Sequence, residues 1–157
     1  VITIDIPGFG DLTLDHLVAD YNGSLAIDGK PLDGVKERLS ALAPQLRLHI
    51  VTGNTYGDAH DHLAGWPVEL VCLPDGAQQR AAKRRYVEIL GADRVVVIGN
   101  GRNDAAMLKL AALGIAILGS EGAAIDAIES ADIVVHHGVD ALGLLLKPKR
   151  LVASLRG

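Results

Sequence analysis

From residue 14 onward, short apolar runs alternate with stretches of helical period. The runs cover 14–19, 46–51, 68–73, 94–98, 114–118 and 132–135. They are rich in Val, Ile and Leu with little polar alternation, the pattern of strands buried on both faces. Between them, Val35, Leu39 and Leu42 repeat at helical spacing behind a candidate cap at Asp33. Ala82, Tyr86, Ile89 and Leu90 do the same and stop at Gly91, a residue suited to the position just past a helix. Shorter helices are expected around 56–64, 104–112, 123–130 and 139–146. This alternation predicts an α/β fold with a mostly parallel sheet covered by helices. The first 13 residues differ: Ile2, Ile4 and Ile6 alternate with polar residues, Gly8 and Gly10 turn the chain, and Leu12 and Leu14 alternate again. That reads as a β-hairpin leading into the sheet. The expected organisation is one domain, with a hairpin (1–13), an α/β core (14–146) and a basic tail (147–157).

Composition narrows the picture. With 157 residues, 49% hydrophobic and 22% charged, the chain carries enough apolar material for one packed core, and general disorder is excluded. Aromatics are only 3%, so Val, Ile, Leu and Ala must build that core, and a base-stacking surface for nucleic acid is disfavoured. The net charge of −4 gives no general attraction to nucleic acid or to an anionic membrane. A single cysteine, Cys72, rules out an intrachain disulfide and a multi-thiolate zinc site. The longest apolar stretch, 105–119, is interrupted by Lys109 and is too short to span a bilayer. A soluble cytoplasmic protein is the expectation.

In open parallel sheets, reactive groups gather beyond the carboxyl ends of the strands. After the first run comes Asp20-Tyr21-Asn22-Gly23-Ser24-Leu25, after the second Thr52-Gly53-Asn54-Thr55, and after the fourth Gly99-Asn100-Gly101-Arg102-Asn103-Asp104. Lys83 lies on a helix between the last two. One carboxylate, a hydroxyl beside Gly-rich amides, a lysine and an Asn/Asp cluster suit phosphoryl transfer. The carboxylate attacks phosphorus, the donors hold its oxygens, and oxygen ligands hold a metal.

With these motifs in this order, the sequence resembles the haloacid dehalogenase superfamily. Within it, the variants look most like the phosphorylation domain of P-type ATPases and its small soluble relatives. Asp20 to Ala26 stands for the phosphorylation signature, Thr52-Gly53-Asn54 for Thr-Gly-Asp, and the ten residues from Gly99 to Leu108 for Gly-Asp-Gly-x-Asn-Asp with its following Ala and Leu. The resemblance implies a three-layer, Rossmann-like fold and a Mg²⁺-dependent phosphohydrolase acting through a phosphoaspartate at Asp20. It implies that Thr52, Gly53, Lys83 and Asn103 bind the phosphoryl group. It also implies that Asp20, Asn22 (through its main-chain carbonyl), Asn100 and Asp104 hold the metal.

Two departures from the pattern matter. Asn22 stands where most phosphatases of this family have an Asp that protonates the leaving group and activates water; an amide does neither. Asn100 replaces a metal-binding carboxylate, so Mg²⁺ affinity should fall. Slow turnover is expected, and a non-hydrolytic phosphate-binding or phosphorylatable regulatory module is the alternative. The intervals between motifs are filled by assigned elements, so no cap domain fits between them. The substrate, a phosphorylated molecule, or a second subunit must then cover the site, and the N-terminal hairpin is the candidate subunit contact.

Other readings compete at single residues. Arg80 and Arg84 share a helical face with Lys83 and rival it for the phosphate. Gly99-Asn100-Gly101 lacks the third glycine of a dinucleotide site. His60 and His62 point different ways on a helix and make a poor metal pair. The tail from Lys147, basic and without acids, is expected to be solvated and loosely docked. A receiver-like domain would need an acidic pair early in the chain, which Ile4-Asp5-Ile6 lacks.

Overall fold

The computed structural model describes residues 1–53, 58–74 and 78–157; of Asp58 it describes the main chain only. Its centre is a six-stranded sheet, every neighbouring pair parallel, in the order β10-β9-β8-β3-β6-β7. The strands are β3 (His16–Ala19), β6 (Arg47–Thr52), β7 (Glu69–Cys72), β8 (Val95–Gly99), β9 (Leu113–Ile117) and β10 (Ile133–Val135). These match the predicted runs to within one or two residues. In the inner strands β8 and β9 every residue is buried, as the unbroken apolar runs require. The edge strands β7 and β10 are only partly covered, because each lacks a neighbour on one side.

Successive strand residues face opposite layers. Leu17, Ala19, Ile50, Val96 and Ile98 look toward α1 (Val35–Leu42), α6 (Gly138–Leu146) and α7 (Lys149–Leu155). Val18, Val51, Val95 and Val97 look toward α3 (Gln79–Leu90), α4 (Ala105–Leu110) and α5 (Ile125–Ser130). The result is a three-layer α/β fold. Helix α2 (Asp58–Leu63) adds Ala59 and Leu63 to the first layer; the rest of its predicted start, Tyr56 and Gly57, lies outside the described residues.

The hairpin forms as read, β1 (Ile2–Ile6) against β2 (Gly10–Leu14), but as a separate antiparallel sheet. Its inward residues Ile2, Ile4, Ile6, Leu12 and Leu14 are all buried in the same core as α1 and α6. The hairpin's apolar face is therefore engaged within its own chain. Strands β4 (Ala26–Ile27) and β5 (Lys30–Pro31) make a small flap beyond β3.

Three expectations are corrected. The tail is a helix, with Leu151 fully buried and the Gly157 N–H donating to the Pro7 carbonyl at 3.0 Å, so it docks on the hairpin rather than floating. Helix α1 is entered through Gly34 at φ +87°, without a side-chain cap from Asp33. On α3 the inward face carries Lys83 and Val87, while Ile89 is exposed. Tyr86 and Leu90 of the expected face do pack against the core; a buried lysine has no apolar signature, so periodicity centres that face about one residue away from Lys83 and Val87.

At the amino end of the sheet a polar chain ties three strands to α3. His49 on β6 is buried, with Nε2 3.1 Å from His16 Nδ1 on β3 and Nδ1 2.8 Å from the Tyr86 hydroxyl on α3. The same Nδ1 lies 3.3 Å from a Glu69 oxygen on β7, whose other oxygen accepts from Arg47 at 2.7 Å. Burial holds both imidazoles below their ordinary pKa. The unfolded chain therefore takes up protons near pH 6.5 while the native chain resists until lower pH, so this cluster's contribution to stability falls as pH falls. The expected outcome is that the chain's stability advantage over a His16→Gln, His49→Gln variant shrinks on acidification below about pH 6.5. Denaturant unfolding across that range checks it, and a pH-independent difference contradicts it.

Candidate active site

The strand order reverses between β3 and β8: the chain runs outward from β3 through β6 to β7, then returns to β8 and proceeds to β10. Ligands of open parallel sheets bind at such a reversal, beyond the strand ends. Asp20 follows β3 there, with its N–H donating to the Ile98 carbonyl at 2.9 Å, and the loop after Gly99 begins beside it. Thr52 ends the neighbouring β6. The ends of these strands open on a cavity of about 340 Å³ lined by Asp20, Asn22, Thr52, Gly53, Lys83, Asn100 and Asn103, together with Gly101 and Gln79. Seven of the eight site residues read from the sequence thus converge on one cavity.

The eighth, Asp104, lies beneath it. Its side chain is fully buried, with one oxygen accepting from Lys83 Nζ at 2.7 Å and the other from the main-chain N–H groups of Asn100 and Gly101 at 3.0 and 2.9 Å. Space for it exists because residue 99 is glycine; a Cβ there would sit 2.7 Å from the Asp104 carboxyl carbon. Lys83 is itself 2% exposed and also donates to Asp20 Oδ1 at 3.0 Å. One ammonium therefore joins Asp20 at the end of β3 to the loop of Asn100.

Burial raises the Asp20 carboxyl, the Asp104 charge raises it further, and Lys83 with the Tyr21 N–H opposes both, leaving it at about 7. Burial alone would push the Lys83 ammonium down, but Asp20 and Asp104 outweigh it and hold it above its ordinary value. Lys83 is charged in the native protein. Arg80 and Arg84, its rivals for the phosphate, point elsewhere and are half exposed.

Loop contacts fix the remaining groups. Asn22 Oδ1 accepts from the Gly29 N–H of the flap at 2.8 Å, and the buried Tyr21 hydroxyl donates to the Gly29 carbonyl at 2.8 Å. Asn100 donates through Nδ2 to the Gly122 carbonyl at 3.1 Å and packs against Gly23, which sits at φ +83° and leaves no room for a side chain. Asn103 Nδ2 donates to Gln79 Oε1 at 2.8 Å, bridging the loop to α3. Gln79 is absent from the sequence reading; its signal is position, one helical turn before Lys83 on the same face. Asn54, the third residue of its motif, lies outside the described residues.

A hard divalent cation fits the donor set in kind. Asp20 offers a carboxylate and Asn22 a main-chain carbonyl. Among the described residues the Asn100 amide oxygen has one hydrogen-bonding partner, the Ser24 hydroxyl at 3.5 Å, the outer limit of hydrogen bonding. Among the described residues no group of three His, Cys, Asp or Glu side chains could hold a metal, so the set has a single carboxylate.

Solved structures share this architecture. The 3-deoxy-D-manno-octulosonate 8-phosphate phosphatase of Moraxella catarrhalis, solved in complex with a magnesium ion, a phosphate ion and a KDO molecule, superposes at a TM-score of 0.64. It is 15% identical, over 91% of this chain and 94% of that one. The chain adopts a haloacid dehalogenase-like fold. A zinc-transporting PIB-type ATPase matches at 24% identity and a TM-score of 0.63, over 79% of this chain and 20% of the pump. In sequence, an 82-residue segment is 44% identical to uncharacterized protein MJ0073 of Methanocaldococcus jannaschii, covering 50% of this chain and 88% of that protein. The chain belongs to the same family as that archaeal protein. No protein-family model matches the chain. Among the described residues no helix is long and apolar enough to cross a membrane.

Replacing Lys83 by Met should strand two buried carboxylates and cost about 3–5 kcal/mol near neutral pH. Without the ammonium, burial and the neighbouring Asp104 charge push the Asp20 carboxyl further toward its protonated form in the native state, so the variant should regain stability as pH falls. Denaturant titration at two pH values checks this. A loss that does not shrink on acidification contradicts the pairing.

Proposed function

We propose that the chain is a phosphohydrolase that works through a phosphoaspartate at Asp20 and turns over slowly. The observation that carries this reading is the convergence of Asp20, Thr52, Lys83 and Asn103 on one cavity at the strand reversal. The ionised Asp20 oxygen attacks phosphorus, forming an O–P bond as the bond to the leaving oxygen breaks. Lys83 offsets the negative charge where carboxylate and phosphoryl group meet, and the Thr52 hydroxyl, Gly53 N–H and Asn103 amide hold the phosphoryl oxygens. Mg²⁺, held by Asp20, the Asn22 carbonyl and the Asn100 amide oxygen, would supply further charge neutralisation at those oxygens.

Asn22 sets both rate and substrate class. Its oxygen is committed to the Gly29 N–H, leaving only amide N–H donors, which neither protonate a leaving group nor take a proton from water. Leaving groups stable as anions are favoured, as in aryl and acyl phosphates and phosphoanhydrides. Hydrolysis of the phosphoenzyme then lacks a base, and the intermediate persists. The same observation supports a second reading, in which persistent phosphorylation of Asp20 is itself the output, as a regulatory switch.

Asp20→Ala should abolish hydrolysis of an aryl phosphate in the presence of Mg²⁺. Asn22→Asp should raise it, by about 10²–10⁴-fold at most. An aspartate keeps one oxygen on Gly29 and frees the other. Steady-state assays check both; activity surviving in Asp20→Ala, or a lower rate in Asn22→Asp, contradicts the assignment.

A further inference from the structure

Helix α3 presents two chemically active faces. Gln79 and Lys83 look into the Asp20 cavity. Arg80 and Arg84, each one residue further on and so rotated by about 100°, line a second cleft of about 390 Å³ between α3 and α4. Lys109 on α4 lines the same cleft, as do Ala105 and Ala106, which are too small to hold a ligand away from the cations. Three cations and no carboxylate line it, in a chain whose net charge is −4. Their charges are weakly compensated. Arg84 reaches Glu88 on its own helix at 3.1 Å. Arg80 shares Asp126 with Arg102, at 3.9 and 3.6 Å, and Lys109 makes no ion pair among the described residues.

The partition between cavity and cleft runs along the start of α3, where Gln79 lines the cavity and Arg80 the cleft. It includes the Gln79–Asn103 hydrogen bond, and the next residue on α3 and the preceding residue of the loop are Arg80 and Arg102. A molecule with its reacting phosphoryl group at Asp20 that extends past that bridge along α3 would come next to Arg80.

We propose that this cleft is a second anion subsite, which takes the distal phosphate of a doubly phosphorylated substrate. The proposal rests on the phosphohydrolase reading, because the Asp20 cavity must hold the other phosphate. Guanidinium groups suit this task through their paired N–H donors, and phosphate oxygens accept them two at a time. It assigns substrate selection to the catalytic domain's own surface.

Titration calorimetry with non-hydrolysable ligands tests it: propylphosphonate against alkane-α,ω-bisphosphonates of increasing length. Affinity should peak at the spacer that crosses the Gln79–Asn103 bridge, roughly five- to tenfold tighter than the monophosphonate, and the gain should shrink as salt rises. Arg80→Ala and Lys109→Ala, both at exposed positions, should keep the monophosphonate affinity and lose the gain. Asp126→Asn, which frees Arg80, should enlarge it. A monophosphonate that binds as tightly as every bisphosphonate, or a gain that survives both alanine variants, overturns the subsite and leaves the phosphoryl cavity standing. If neither ligand class binds, the phosphohydrolase reading fails and the subsite with it.

Discussion

A buried ammonium organises this molecule's chemistry. Lys83 is almost wholly removed from water and is tolerated there because Asp20 and Asp104 flank it at 3.0 and 2.7 Å. Neither carboxylate would be stable in that position alone. Asp104 is the deeper of the two, and its second oxygen draws the main-chain N–H groups of Asn100 and Gly101 toward it. Helix α3, the end of β3 and the loop after β8 are thereby locked to one another at the strand reversal. The site's charge is set by that lock: two carboxylates and one ammonium leave room for additional positive charge, which a divalent cation would supply.

The two asparagines read differently once their contacts are known. From the sequence each is a lost carboxylate. In the structure each is also a clip: Asn22 holds the flap through Gly29, and Asn100 holds the loop at Gly122 while packing on Gly23. An amide serves this purpose well, since Asn100 donates through nitrogen and Asn22 accepts through oxygen without adding a buried charge.

Much of this was legible in the chain. The inner strands are buried on both faces, so their apolar runs are unbroken and their positions unambiguous. The strand-end motifs sit where a parallel sheet must place its chemistry. What could not be read follows from polar burial and from docking. Periodicity places Tyr86 and Leu90 of α3 against the core but not the buried Lys83, which has no apolar signature, and Gln79 has none beyond its spacing from Lys83. Asp104 was expected among the metal ligands, whereas the structure turns its oxygens toward Lys83 and the loop. The tail was expected to be solvated because of its run of basic residues, yet Leu151 finds a place against the core. Each of these depends on a tertiary partner far away in sequence.

The central claim is that the Lys83-braced Asp20 is the group that takes the phosphate. It is tested most directly by incubating the chain with acetyl phosphate and Mg²⁺, trapping with borohydride and locating the modified residue by peptide mass spectrometry. A single modified aspartate at position 20, still detectable long after the donor is removed, is the predicted result. Modification elsewhere, or an unmodified Asp20 under conditions where the folded protein is saturated with donor, would contradict it.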